Sequence, residues 1–261
     1  MRTRHSLAFF AALALVACGG GGEEKTAPRQ RSGAAAPAGG APAASSSGYT
    51  VAAVSGGGSV SGKVAFTGEA PAPEKLEITK DTSVCGTEKE FHTVEVGGGG
   101  LARAVVWIDG IASGKDWGSM DGGTIDQKQC IYTPYIQIMK AGDTLNIVNS
   151  DPILHNIHAY HNDKETLFNL AQPMQGMSTP KTMDKTGPVH MKCDVHSWMS
   201  GWVFVAGHPY YSVTGADGSF SLADVPAGSY TVKAWHPKFG EKTASVTVAA
   251  GGTADASFSM P

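Results

Sequence analysis

Apolar and polar positions alternate in short runs along most of the chain, and the runs end at glycine, proline, asparagine or aspartate. Residues 60–66 (VSGKVAF) alternate and stop just before Gly68, which predicts a strand. Residues 102–108 (ARAVVWI) run into Asp109-Gly110, a hairpin-type turn signal. The segment 135–139 (YIQIM), the turn Ala141-Gly142-Asp143 and 144–149 (TLNIVN) read as strand, tight turn, strand. Residues 188–193 put Val189, Met191 and Cys193 on one face, and 202–205 (WVFV) is a further short strand. From Tyr210 on, Ala216-Asp217-Gly218 and Pro226-Ala227-Gly228 separate expected strands at 220–222, 230–234, 245–249 and 257–260. Helical periodicity is weak, and a helical turn is expected only within 164–172. The pattern predicts an all-β protein built as a sandwich or barrel.

The first 58 residues do not share this pattern. Arg2, Arg4 and His5 precede an apolar run at 7–17 that is too short to span a bilayer. That run ends Leu15-Val16-Ala17-Cys18, which resembles a bacterial lipobox. The resemblance implies a signal peptide at 1–18, lipid on Cys18 and attachment to a membrane of the cell envelope. No Asp follows Cys18, which by the same resemblance points to the outer membrane, facing the periplasm or the cell surface. Residues 19–58 are rich in Gly, Ala, Pro and Ser without periodicity, the composition of a flexible tether.

Charged residues make up only 16% of the chain and the formal net charge is −3. That balance argues against a nucleic-acid partner, whose phosphates demand a basic face. No phosphate-cradling glycine loop, nucleophile elbow or paired-carboxylate pattern occurs, so the expected function is not enzymatic. Of the four cysteines, Cys18 takes lipid in this reading, and Cys85 and Cys130, both in turn-like surroundings, can pair as a disulfide. A different pairing remains the alternative. With the first pairing Cys193 is left over, and an exported chain rarely leaves a thiol free without something to hold it.

Two segments carry candidate chemistry. One is 149–157 (NSDPILHNI) and the other is 193–199 (CDVHSWM). A thiolate at 193, an imidazole at 196 and a thioether at 199 converge on one point if they line a tight loop between strands. His155 from a neighbouring strand completes a set of two imidazoles and one thiolate with a weak axial thioether. That donor set suits copper, whereas zinc sites seldom use Met.

The His-Asn at 155–156 followed by Cys-x2-His-x2-Met resembles the plastocyanin and azurin family of cupredoxins, and the short loop spacing is nearest that of amicyanins. The resemblance implies a Greek-key sandwich and one mononuclear type 1 copper site with ligands His155, Cys193, His196 and Met199. It also implies that Asn156 ties the two ligand loops together. The expected function is one-electron transfer with a redox partner protein, a cytochrome or membrane oxidoreductase, through the edge of His196. The chain departs from the family pattern through a long insertion between Tyr160 and Pro188 and a short Cys-to-Met loop.

Residues 216–237 (ADGSFSLADVPAGSYTVKAWHP) resemble the carboxypeptidase regulatory-like, or transthyretin-like, sandwich module. Residues 58–68 (GSVSGKVAFTG) resemble the first strand of such modules and are a candidate for the missing edge. The expected organisation is signal peptide 1–18, tether 19–58, cupredoxin-like domain 59–206 and transthyretin-like module 207–261.

The remaining candidates are weaker. His158 and His161 follow His155 at intervals of three, but on a strand His158 points away from His155. His190, His208 and His236 read as hydrogen-bonded structural residues, and Trp198 as either a core side chain or an apolar docking surface. Met174, Met177 and Met183 keep open a copper carrier or sensor that passes no electrons. A surface interaction protein working through its transthyretin-like end is the third reading.

Overall fold

The computed structural model describes residues 48–118 and 122–261. Cys18, the expected signal peptide and residues 19–47 of the expected tether lie outside the described residues.

The alternating runs become strands, and their apolar sides meet in two sandwiches. The first is made by 124–206. One of its sheets runs Ile131–Thr133, Thr124–Lys128, Thr144–Asn149, Ser178–Thr182. The other runs Ile136–Lys140, Ser200–Ala206, Gly187–Lys192, His155–His161, Glu165–Gln172. Ile125, Leu145 and Ile147 from one sheet pack against Met139, Ile157, Val189, Met191, Val203 and Val205 from the other, all fully buried. At Thr144–Asn149 the inward side chains Leu145 and Ile147 alternate with exposed Thr144 and Asn146, as a sheet with one wet face requires. The insertion between Tyr160 and Pro188 supplies the strands Glu165–Gln172 and Ser178–Thr182, so it extends both sheets and is no appendage.

The second sandwich draws on chain from both sides of the first. Its sheets run Tyr211–Val213, Val105–Asp109, Gly228–His236, Gly240–Val248 and Ser219–Val225, Gly58–Phe66, Gly100–Leu101, Val96–Gly97. Gly58–Phe66 also pairs in parallel with Thr253–Asp255 and Phe258–Met260. The strand resembling a module edge is therefore hydrogen-bonded into that module. A boundary at 207, with 59–206 as one domain, cuts through these ladders. The strand pairing instead sets 124–206 apart as a sandwich inserted between the two halves of the other.

Three other expectations change. The stretch 164–172 forms the strand Glu165–Gln172, because a full antiparallel ladder to His155–His161 outweighs the local helix preference of Leu, Ala and Gln. Asp109-Gly110 ends its strand but closes no hairpin, since Val105–Asp109 pairs with Tyr211–Val213 and Gly228–His236. The tether does not reach 58: Tyr49 is buried in the second core and Thr50–Val51 pairs with Ser113–Gly114.

The outward faces of Ile136–Lys140 and Ser200–Ala206 are not wet. Tyr135, Ile136, Trp202 and Phe204 meet Val105, Trp107, Tyr211 and Trp235 of the second sandwich in an aromatic seam. Trp202 sits edge-on to Trp235 at 5.0 Å, and Trp107 lies 5.0 Å from Phe204. Ring pairs of this kind add about 0.5–1.5 kcal/mol each beyond their buried area.

Candidate metal centre

His155 opens the strand His155–His161, opposite Gln172, and Cys193 directly follows the strand Gly187–Lys192. The loop after Cys193 turns back at once, with the Met199 N–H donating to the His196 carbonyl (2.9 Å). These two neighbouring strands bring His155, Cys193 and His196 together, with one donor atom from each within 4.8 Å of the others and all three buried. His155 Nδ1 and His196 Nδ1 face each other at 2.9 Å, and Cys193 Sγ is 3.8 Å from His196 Nδ1. Cys193 is the only free thiol among the described residues. Met199 is buried in the same core, one turn of loop beyond His196.

Each imidazole spends its other nitrogen on a carboxylate. His155 Nε2 meets Asp151 Oδ2 at 2.9 Å, and His196 Nε2 meets Asp81 Oδ2 at 2.9 Å. A carboxylate only accepts, so Nε2 of each ring carries the proton and each Nδ1 is left with a lone pair. Burial holds His155 below its ordinary pKa, with the Asp151 bond opposing that shift, which favours the neutral ring. At 2.9 Å the two Nδ1 atoms need something positive between them, which either one shared proton or a metal ion bound to both rings supplies. This is the test of fit for a metal, and the residues meet it. Three soft or borderline donors converge, and a buried thioether lies nearby.

The surrounding bonds fix these rings. Asp151 also accepts the N–H groups of Gln129 (2.7 Å) and Cys130 (2.8 Å), both at positive φ in the two-residue turn between Thr124–Lys128 and Ile131–Thr133. Asn156 Oδ1 accepts from Cys193 Sγ (3.3 Å), Asp194 N (2.7 Å) and Val195 N (3.2 Å). Its Nδ2 donates to Asn169 Oδ1 (2.8 Å) and Asp194 Oδ2 (3.0 Å). One side chain thereby joins the His155 strand to the Cys193 loop. Tyr132 packs where a Cβ on Gly201 would stand 2.9 Å from its own Cβ, and its hydroxyl donates to the carbonyls of Asn156 and Lys192. Replacing Asn156 by alanine is expected to leave the two N–H groups of the loop unpaired and to cost about 1–3 kcal/mol, read as a lower urea midpoint.

Cys85 and Cys130 form a disulfide. Cys130, Asp151 and His155 also lie close enough to form a metal-like group, but the bonded sulfur of Cys130 is not available as a ligand. Trp198 tilts over His196 at 5.1 Å and donates its indole N–H to the Cys130 carbonyl (3.1 Å), so it is a half-buried brace for the ligand loop.

His158 points away from the donor set and bonds Asp194, Tyr160 and Thr166 on the outer face. Asp194 loses some acidity to partial burial, but the hydrogen bonds of Asn169, His158 and Asn156 outweigh that and hold its carboxyl below the usual range. His161 bonds the Thr186 carbonyl, and His190 stacks on Trp202 at 4.0 Å while bonding Asp163. Of the three methionines of the carrier reading, Met174 and Met177 share a turn in which the Met177 N–H donates to the Met174 carbonyl (3.2 Å). Met183 is buried in the core, and Met174 is exposed at the surface.

Sequence reading missed the two carboxylates. Asp151 stood in a quoted segment, four residues before His155, and that spacing was the available signal. Asp81 had none, because its contact with His196 spans 115 residues.

A family model for the carboxypeptidase regulatory-like domain matches residues 203–261, and the chain carries that domain there. No curated protein sequence matches the chain. Among solved structures, the chain is similar to a purple cupredoxin from Nitrosopumilus maritimus, at 22% identity over 32% of this chain and 99% of that one, with a TM-score of 0.30. It is also similar to amicyanin from Paracoccus versutus, at 20% identity over 33% of this chain and 82% of that one, with a TM-score of 0.30. A copper-containing nitrite reductase from Thermus scotoductus matches at 20% identity over 33% of this chain and 22% of that one, with a TM-score of 0.29.

Proposed function

We propose that this chain is a mononuclear type 1 copper protein that carries single electrons at the cell envelope, anchored by lipid on Cys18. The observation that carries this reading is the pair of imidazole Nδ1 atoms facing each other at 2.9 Å beside the free thiol of Cys193, with both Nε2 atoms committed to carboxylates. Bound there, copper would supply a one-electron couple.

The chain's own part is to keep the donors where both oxidation states tolerate them. Copper bound there would be held by the Cys193 thiolate, the His155 and His196 imidazoles and the Met199 thioether. Asn156, Asp151 and Asp81 restrain the side chains that carry these atoms, and the buried setting keeps water away. A site restrained in this way reorganises little when one electron arrives or leaves. The partner in this reading is a redox protein, a cytochrome or membrane oxidoreductase. The edge of His196 is not a bare route for the electron, because that ring is fully buried beneath Asp81.

The test is the optical and paramagnetic spectrum of the full chain loaded with copper. An intense visible sulfur-to-copper band is expected, and Cys193→Ala is expected to abolish it. A band that survives in Cys193→Ala, or its absence from the wild type, contradicts the reading.

A further inference from the structure

We infer that Asp81 is a positioning residue for His196, and that the disulfide-held turn carrying it is a fixed cap over the histidine edge. This rests on the copper reading of the site.

The cap is an arm of the second sandwich that reaches the first. Strands Glu74–Glu77 and Glu88–Phe91 pair with each other, and the helical turn Thr82–Cys85 closes them. Ile78 and Cys85 are buried in the core of the first sandwich, with Val84 packed against it. Asp81 occupies the N-cap position of that turn, where its side chain would ordinarily accept an N–H of its own helix. It makes no such bond. Its backbone is left-handed (φ 51°), a conformation that few residues besides Gly, Asn and Asp adopt, and the side chain reaches out to His196 Nε2 at 2.9 Å. The carboxylate is thus spent on a ring of the first sandwich rather than on its own helical turn.

The arrangement is paired across the disulfide. The Asp81 carbonyl accepts the Cys85 N–H (2.9 Å), while the Asp151 carboxylate accepts the Cys130 N–H (2.8 Å). Each half of the bridge therefore bonds one of the two aspartates that orient the imidazoles, Cys85 at the Asp81 backbone and Cys130 at the Asp151 carboxylate. Two consequences follow for His196. Donation of Nε2–H to a carboxylate fixes the tautomer that leaves Nδ1 free, and makes that nitrogen a better donor. The ring is also closed to water and to any partner, with none of its surface exposed.

The experiment compares the wild type with Asp81→Gly and Asp81→Asn. Both residues tolerate a left-handed backbone, so folding is not at issue. Asp81→Gly removes carboxylate and cover together, and is expected to weaken Cu(II) binding about 10–100-fold in competition with a chelator. It should also speed oxidation of the Cu(I) protein by hexacyanoferrate(III), a small probe that reaches an uncovered ring edge. Asp81→Asn keeps the cover and an acceptor oxygen, so it should lose affinity while keeping the slow oxidation. In copper-free protein the His196 Nε2–H should give a slowly exchanging proton resonance that Asp81→Gly abolishes. That last measurement decides the cap whether or not copper binds, whereas a wild type with no visible band overturns only the reading of the site. A glycine variant with unchanged affinity, oxidation rate and Nε2–H exchange overturns the inference.

Discussion

Replacing Cys85 and Cys130 together by alanine is expected to lower the unfolding free energy by about 4 kcal/mol, the chain-entropy value for a 45-residue separation. Alanine is the better probe, because serine would leave hydroxyls unpaired where both cysteines are buried. The loss should not be spread evenly. The arm carrying Cys85 pairs only with itself, and its four-residue helical turn is far too short to persist alone. Without the bridge, the arm would be held by the packing of Leu76, Ile78, Val84 and Phe91 and by the bond from Asp81 to His196. Urea unfolding should therefore show a lower midpoint. Hydrogen exchange should show the amides of Val84, Cys85 and Gly86, which bond back to Asp81 and Thr82, opening ahead of both sandwiches. An unchanged midpoint with those amides still protected would show that the arm stands on its packing alone.

The same arm explains what could and could not be read in the sequence. Strands such as Thr144–Asn149 and Gly187–Lys192 announce themselves because each alternates between a fully buried face and a wet or polar one. The candidate donors were legible for a chemical reason: residue type and loop spacing selected His196 and Met199, and the cysteine count isolated Cys193. Residues 74–91 carried no such signal. Their pattern is charged (EKLE and EKEF), the strands are exposed and short, and their one strongly placed carboxylate acts on a ring 115 residues away. Domain boundaries failed for a related reason. The pairing of Ser59 with Thr253 is a fact of the ladder, and no local pattern reveals that a strand's partner lies beyond an inserted sandwich. Glu165–Gln172 shows local preference and tertiary pairing in direct conflict, and the ladder with His155–His161 prevails.

Lowering the pH from 7 to 5 is expected to cost the fold roughly 2 kcal/mol for each of His208 and His236, about 4 kcal/mol for the pair. Burial pushes both imidazoles down to about 4 from an ordinary 6.5. For His236 the Arg103 charge adds to the push, whereas for His208 a backbone hydrogen bond at Ile108 and the charge of Asp109 oppose it. The geometry agrees for His236, whose ring is wholly buried against Phe239 and accepts the Lys238 N–H at Nδ1 (3.2 Å). Its Nε2 proton finds no acceptor, so the ring has no partner to welcome a second charge. The sign follows from proton counting. Between pH 6.5 and about 4 the unfolded chain binds protons at these histidines that the folded one refuses. Their contribution is therefore complete above the unfolded value and is lost as the pH falls towards 4. Urea midpoints measured across this window should drop steeply. His208→Gln and His236→Gln should each remove about one proton's worth of slope, roughly 1.4 kcal/mol per pH unit. A slope that neither substitution alters would place the acid sensitivity in other groups.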